Sequence, residues 1–222
     1  MLKNLRLPLL IIFILLLLDQ SVKIWIKTHM FLGQEYRITD WFIIHFTENN
    51  GMAFGLEFGG QWGKYFLSVF RILAVGALFW YLVHLAKTNA HKGLMVAMSL
   101  IFVGALGNIL DSCFYGLIFN ESYSEIAAIF PKGGGYAGFL QGKVVDMLYF
   151  PLIEGNYPDW FPIWGGEDFL FFRPVFNIAD SAITIGVLTI AIWQKKFFPD
   201  SVSNEMNVSD TIDSQKVNEN DR

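Results

Sequence analysis

Residues 7–26 read LPLLIIFILLLLDQSVKIWI, and the first half of this stretch is almost pure hydrocarbon. A helix needs roughly 20 apolar residues to cross the ~30 Å hydrocarbon core of a bilayer. Three further stretches are long and apolar enough to do the same, at residues 65–86, 94–118 and 178–197. The sequence therefore predicts a mainly α, integral membrane fold, a bundle of four transmembrane helices.

The composition supports an integral membrane protein. Of the 222 residues, 54% are hydrophobic and only 16% are charged, whereas soluble domains carry ~25% charged residues. The chain has no basic stripe of the kind that binds nucleic acid, so we expect no nucleic-acid partner. A single cysteine, Cys113, excludes a disulfide within the chain and is best explained as a small packing residue.

The first apolar segment has two interpretations. Lys3 and Arg6 precede it, as basic residues precede the apolar part of a secretory signal peptide. A signal peptide ends at a cleavage site of small residues, whereas Asp19-Gln20-Ser21-Val22-Lys23 follows here. We therefore expect an uncleaved membrane anchor.

Basic residues in short flanking segments predict the orientation of the spans, because such residues are enriched on the cytoplasmic side. They lie before the first span, between the second and third, and after the fourth: Lys3, Arg6, Lys87, Lys92, Lys195 and Lys196. Both termini and the turn between spans two and three are thus expected in the cytoplasm. The long connections at 27–64 and 119–177 are then extracytoplasmic.

Both outer connections are expected to fold. Residues 37–46, RITDWFIIHF, are rich in β-forming residues, and Asn49-Asn50-Gly51 is a turn signal, so a small outward-facing β-rich subdomain is predicted. The connection 119–177 is rich in Gly, Pro and aromatic residues, which suits a folded insert at the membrane interface. Residues 1–198 should form one domain, and the polar, acidic tail at 199–222 should be disordered.

Two aspartates lie near apolar segments, where an ionised carboxylate is costly and therefore suggests function. Asp146 lies in Lys143-Val144-Val145-Asp146-Met147, and Asp180 lies where the fourth apolar stretch begins. Two close carboxylates cannot both ionise freely, and a pair that shares one proton provides a general base and a general acid.

Further polar residues are predicted at the same membrane depth. Asp19 and Lys23, spaced i and i+4, form either an ion pair on the helix surface or support for a site. Asn108 and Asp111 share a helix face, and the nearby Gly104 and Gly107 would allow close helix approach.

Asn177 and Asp180 repeat the i, i+3 spacing at the start of the fourth span. One interpretation is purely structural, with Asn177 as the N-cap and Asp180 in the first turn. It leaves Asn108, Asp111 and Asp146 unexplained.

A metal site is the other alternative, since carboxylates and amides suit hard cations. No His-x-x-x-His or Glu-x-x-His pattern accompanies these residues, and the four histidines fall elsewhere: His29, His45, His84 and His91. We expect no metal and no organic cofactor. Nucleophilic catalysis has little support, because there is no Gly-x-Ser-x-Gly motif.

Five short motifs follow one another along the chain: Asp19-Gln20-x-x-Lys23, Asn49-Asn50-Gly51-Met52-Ala53-Phe54-Gly55, Gly104-x-x-Gly107-Asn108-x-x-Asp111, Val144-Val145-Asp146 and Phe176-Asn177-x-Ala179-Asp180-x-x-Ile183. Together they resemble the motifs of the bacterial lipoprotein signal peptidases (signal peptidase II), a family of integral-membrane aspartic peptidases. Each motif is weak alone, but their common order on a four-span frame is specific.

The resemblance implies an endopeptidase that cleaves diacylglyceryl-modified prolipoproteins just before the lipid-modified cysteine. It implies a monomer in the bacterial cytoplasmic (inner) membrane, surrounded by membrane lipids, with the active site near the periplasmic face. It also implies inhibition by cyclic peptides of the globomycin type.

By the same resemblance, Asp146 and Asp180 are the catalytic pair. The positions that match supporting or substrate-binding residues of the family are Asn49, Gly51, Phe54, Asn108, Asp111 and Asn177. Asp19 and Lys23 match positions of structural support.

The chain departs from the family pattern at one position and in two lengths. Ser112 stands where family members commonly have Arg, so Asp111 lacks its neighbouring cation; Arg71, Lys143 or Arg173 are candidate replacements. The stretches from Asp111 to Asp146 and on to Asp180 are longer than usual for the family.

Two other classes of function remain as alternatives. A small ion- or proton-coupled transporter would also hold acids in the membrane, but it would spread them over depth and show inverted repeats. A scaffold protein would use the polar residues only to pack helices.

Overall fold

The computed structural model describes residues 2–50, 60–123, 125–151, 153–156, 158–171 and 174–198. The predicted disordered tail, 199–222, lies outside these residues. The helices are α1 (Leu2–His29), α2 (Gly60–Lys87), α3 (Lys92–Leu110), a π-helical turn (Asp111–Tyr115), α4 (Gly116–Ile118), α5 (Ile178–Ile192) and α6 (Gln194–Phe197). The strands are β1 (Glu35–Thr39), β2 (Phe42–Asn49), β3 (Val144–Tyr149), β4 (Ile153–Asn156), β5 (Asp168–Phe171) and β6 (Val175–Phe176).

Three of the described helical segments are long and apolar enough to cross a membrane: Asn4–His29, Trp62–Lys87 and Lys92–Ile118. They contain the first three predicted spans. The second, α2, begins at Gly60, before the predicted residue 65, and a lysine in its early turns has hydrogen-bond partners. Lys64 Nζ donates to Asn50 Oδ1 at 3.0 Å and to the Gln141 carbonyl at 2.6 Å.

The predicted fourth span is divided. Helix α5 begins at Ile178 as expected but has 15 residues, fewer than the roughly 20 that cross a bilayer. Trp193 leaves helical geometry, with φ −104° and ψ 22°, and the short α6 follows it. The predicted span over 178–197 therefore corresponds to two helical pieces with Trp193 between them, and the fourth span stays a prediction.

A four-stranded sheet has the strand order β1-β2-β3-β6, and all of its pairs are antiparallel. The hairpin of β1 and β2 covers the predicted β-rich stretch at 37–46. Strands β4 and β5 form a separate two-stranded sheet within the second outer connection. Phe46, Val145 and Met147 are buried against Ile26 of α1 and against Met30, which follows it, so the sheet packs on the C-terminal end of the first helix.

The end of the third span differs from a regular helix. After Leu110 the chain forms a π-helical turn, a feature that often marks functional positions. The outer connection returns to this turn, where Gly142 N donates to the Ser112 carbonyl at 2.8 Å. Only glycine fits at position 142, because a Cβ would overlap the Asp111 carbonyl oxygen.

At the opposite end of the bundle, a second apolar cluster joins the α2–α3 turn to the end of α6. Leu82, Leu94 and Phe197 are buried there, and Leu5 of α1 packs against them. The basic flanking residues of the chain therefore gather at this end.

Gly104 and Gly107 face α5, as close helix approach requires. A Cβ on Gly104 would overlap the carbonyl oxygen of Ala179, and one on Gly107 would lie 2.8 Å from Asp19 Oδ2. These contacts bring α1, α3 and α5 together at the level of the sheet.

We expect Gly104→Ala to lower the free energy of unfolding by about 1–3 kcal/mol, because the overlap forces α3 and α5 apart. Thermal unfolding of the purified protein in detergent measures this change. Gly76→Ala is the matched control, since nothing lies within 4 Å of its added Cβ. That change should be neutral or slightly stabilising, by up to about 1 kcal/mol. Equal melting temperatures for the two variants would contradict the packing role of Gly104.

Candidate active site

Asp146 is held on the central strand β3. Val145 and Met147 are fully buried on the face of β3 that packs against the α1 core. Because side chains alternate along a strand, Asp146 faces the other way. Its side chain is 3% exposed, and it meets Asn177 at the start of α5, where Asn177 Nδ2 donates to Asp146 Oδ1 at 2.6 Å.

Asp180 is held in the first turn of α5 by a capping box. Asn177 Oδ1 accepts from the Asp180 amide at 2.8 Å, and Asp180 Oδ2 accepts from the Asn177 amide at 3.4 Å. The structural interpretation of this pair is therefore correct, but it is incomplete. The same Asn177 side chain also reaches Asp146, so one residue connects the helix start to both carboxyl groups.

Two more asparagines hold the carboxylates in place. Asn108 Nδ2 donates to Asp180 Oδ1 at 2.7 Å, and its Oδ1 accepts from Asn177 Nδ2 at 3.1 Å. Asn49, the last residue of β2, donates from Nδ2 to Asp146 Oδ2. An amide has both donors and an acceptor, so it can bridge groups that a second carboxylate would repel.

The two carboxyl groups interact electrostatically. Burial, followed by the charge of Asp180, raises the pKa of Asp146 to about 7, although hydrogen bonds from Asn49 and Asn177 oppose this rise. Asp146 can therefore hold a proton near neutral pH, while Asp180 is only half-buried. The Arg71 guanidinium on α2 also lies near enough to Asp180 for their charges to interact.

Lys23 lies at the centre of a buried polar cluster beside this pair. Its Nζ is 3.0 Å from Asp19 Oδ2, 2.8 Å from Asp111 Oδ2 and 2.9 Å from Asn108 Oδ1. Lys23 and Asp111 have no exposed side-chain surface. Asp19 and Lys23 are therefore not a helix-surface ion pair, and in the described residues the cation beside Asp111 is Lys23 rather than Arg71 or Lys143. Arg173, the third candidate, lies outside the described residues.

Asp19 extends the cluster to α5. Its Oδ1 accepts a hydrogen bond from the Ala179 amide at 3.0 Å. This amide is one of the N–H groups at a helix start that have no partner within the helix. Gln20, which sequence analysis left without a role, donates to Asp111 Oδ1 at 2.9 Å and to Asp19 Oδ2 at 3.1 Å.

Lys27 is a second buried cation that sequence analysis missed. It lies one helical turn after Lys23, and this repeat of four along α1 is the signal that could have found it. Its Nζ forms an ion pair with Glu48 of β2.

Two of the expected site residues, Gly51 and Phe54, lie outside the described residues. Within the described residues, no group of three or more His, Cys, Asp or Glu side chains is arranged to hold a metal ion. Cys113 is buried, as a packing residue would be.

Comparison with known proteins identifies the family. The family model described as "Signal peptidase (SPase) II" matches residues 11–196. A "Lipoprotein signal peptidase" of Porphyromonas gingivalis is 52% identical over 183 residues, which are 82% of this chain and 80% of that protein. The protein of the same name from Amoebophilus asiaticus is 40% identical over 179 residues, 79% of this chain and 72% of that one.

The fold is also similar to a solved structure. It is described as "Bacterial membrane enzyme structure by the in meso method at 2.3 A resolution" and aligns with a TM-score of 0.57 at 27% identity. The alignment covers 87% of this chain and 90% of that one. Since the family model spans most of the sequence and the relatives match over most of their length, this chain belongs to the signal peptidase II family.

Proposed function

We propose that this protein is an aspartic endopeptidase that removes the signal peptide from diacylglyceryl-modified prolipoproteins, cutting just before the lipid-modified cysteine. The observation that carries the proposal is the meeting of Asp146 and Asp180 at one asparagine, Asn177, in a member of the signal peptidase II family. Nothing in the comparisons favours a transporter.

The chemistry follows from the shared environment of the two acids. One carboxylate, ionised, takes a proton from water as the water attacks the scissile carbonyl. The other, protonated, polarises that carbonyl and then protonates the leaving amine. The charge of Asp180 helps to raise the pKa of Asp146, so the roles of the two groups are assigned to the pair and not to one residue. Asn49, Asn108 and Asn177 fix the carboxyl groups, and a neighbouring amide N–H that is not used in these bonds can donate to the developing oxyanion.

The proposed topology places this site at the outer, periplasmic face of the cytoplasmic membrane, with both termini in the cytoplasm. Two features support it. The basic flanking residues gather at the end of the bundle around Phe197, and the site and its sheet lie at the other end. We propose that α5 and α6, residues 178–197, complete a fourth span within one domain, 1–198.

The lipid-anchored substrate suits this location, since its acyl chains lie in the outer leaflet and would hold the cleavage site beside the carboxylates. The enzyme is proposed to act as a monomer among membrane lipids. Gly51 and Phe54 are assigned to peptide binding by the family resemblance, and an inhibitor of the globomycin type should block the site. Block by such an inhibitor would separate this function from transport or scaffolding.

We expect Asp146→Asn and Asp180→Asn each to abolish cleavage, because an amide cannot take or give the proton that the pair exchanges. Incubating purified variants with a lipid-modified precursor measures this loss. Asp40→Asn is the matched control, since Asp40 is fully exposed between β1 and β2. Full cleavage by either Asp146→Asn or Asp180→Asn would overturn the assignment of the pair.

The rate of cleavage should fall as the pH rises through about 7. Burial and the neighbouring Asp180 charge raise the pKa of Asp146 to about 7, so the pair keeps one proton below this pH and loses it above. The doubly ionised pair has no general acid. A rate measured at saturating precursor that stays constant well above neutrality would contradict this proton requirement.

Asp111→Asn should lower stability and part of the activity without abolishing turnover, because Asp111 contacts Lys23 and Gln20 but not the pair itself. We expect a cost of about 1–3 kcal/mol. Lys23→Met should cost more, about 3–5 kcal/mol, because it leaves two buried carboxylates without a cation. Thermal unfolding and precursor cleavage measure both effects. Complete loss of cleavage in a well-folded Asp111→Asn protein would place Asp111 among the catalytic residues.

A further inference from the structure

Lys27 forms a second buried cationic centre beside the site. Its side chain has no exposed surface, and its Nζ pairs with Glu48 and lies 3.0 Å from Ser122 Oγ. Three aromatic rings surround the ammonium group, with centroids at 5.0–5.9 Å: Tyr136, Phe119 and Phe46. This set belongs to α1, to β2 and to the outer connection after α4.

Glu48 also forms an ion pair with a second lysine, Lys143, the residue before β3. Lys143 Nζ is 3.5 Å from Glu48 Oε2 and 3.1 Å from Glu121 Oε2, and it lies 5.1 Å from the Tyr136 ring centroid. The Lys143 amide also donates to the Tyr136 hydroxyl at 2.6 Å. Two cations from different segments thus converge on one buried carboxylate.

Two charged residues of this set, Glu48 and Lys143, are each next to a strand position that matters for the site. Glu48 precedes Asn49, which donates to Asp146. Lys143 precedes Val144, which is paired with Asn49 across the two strands. The same register places Glu48 opposite Val145, one residue before Asp146. A shift of Glu48 would therefore move Asn49 relative to Asp146.

Backbone hydrogen bonds tie the outer connection to the same place. Ala127 N donates to the Lys27 carbonyl at 3.1 Å, and Leu32 N donates to the Ser122 carbonyl at 2.8 Å. The first part of the connection therefore closes over Lys27 and shields it and Glu48 from water.

A contribution to the stability of the fold does not explain why Lys27 and Glu48 are both buried as ions. Burying two ions costs several kcal/mol each, and an apolar pair of similar size is often as stable. The ion pair fixes the relative positions of the segments that carry its two residues, because at low dielectric the attraction is strong and depends steeply on distance.

We propose that Lys27, Glu48 and Lys143 are positioning residues that fix Asn49 against Asp146 and thereby set the rate of the cleavage reaction. The proposal rests on the proposed peptidase function.

The predicted consequence is a change in the proton behaviour of the catalytic pair. Asp146 is faced by Asn49 from β2, by Asn177 and Asp180 from α5, and by the Lys23 charge from α1. The hydrogen bond from Asn49 lowers the pKa of Asp146 against the rise caused by burial and Asp180. When Asn49 moves away, that pKa rises, so the loss of activity at alkaline pH should begin at a higher pH.

The test uses the full-length protein in detergent, with kcat, KM and pH dependence measured on a lipid-modified precursor. The main variant is Lys27→Met combined with Glu48→Gln, which removes both buried charges together and leaves Lys143 paired with Glu121. Lys143→Gln is the second variant, and its side chain is 17% exposed, so the protein should fold without it. Arg37→Met is the matched control, because Arg37 belongs to an exposed ion pair in the same hairpin.

We expect the double variant to lose about tenfold in kcat, as a small misplacement of a catalytic group does, with a smaller change in KM. The pH at which the double variant loses activity on the alkaline side should be higher than in the wild-type protein. Lys143→Gln should raise this pH by less, and Arg37→Met should leave it unchanged. If the double variant does not fold, the kcat and pH dependence of Lys143→Gln alone test the proposal. An unchanged kcat and pH profile in the folded variants, with only a lower melting temperature, would overturn the proposal. Failure of the wild-type protein to cleave would instead overturn the proposed function.

Discussion

The arrangement of the site depends on how the buried charge of Lys23 is neutralised. An ammonium group with no exposed surface needs close anionic partners, because the cost of removing it from water is several kcal/mol. Asp19 comes from its own helix and Asp111 from α3, while Asn108 accepts a third hydrogen bond. Asp19 in turn accepts a hydrogen bond from the Ala179 amide in the first turn of α5. One cation thereby fixes the relative positions of the three helices that carry or support the two carboxyl groups.

Asn177 and Asn108 have a different role, because they hold the two carboxyl groups close together without adding charge. Asn177 caps α5 and bonds to Asp146, while Asn108 bonds to Asp180 and to Lys23. Each amide uses its donor and its acceptor on different partners. The result is a continuous path of hydrogen bonds from the buried cation to the half-buried Asp180.

Much of this could be predicted from the sequence, because apolar length, basic flanks and i, i+3 or i, i+4 spacing are local signals. They predicted the three long helices and a β-rich stretch over 37–46, and they offered Asn177 as a cap of α5. The turn between β1 and β2, inside that stretch, was not predicted. Contacts between distant segments had no such signal. The pairing of Lys23 with Asp111 depends on how α1 packs against α3. The repeat of four after Lys23 could have indicated Lys27, but its pairing with Glu48 could not be predicted because Glu48 lies on a strand distant in sequence.

The spacing of Asp19 and Lys23 on one helix has a consequence for how the protein enters the membrane. Membrane proteins are inserted from the N-terminus, so α1 meets lipid before α3 has been synthesised and before Asp111 can reach the ammonium group. During that interval Asp19, one turn away at 3.0 Å, can neutralise Lys23 within the same helix, which lowers the cost of a lone charge in lipid. The first helix thus carries its own temporary counter-ion, and Asp111 becomes the second when α3 packs against α1.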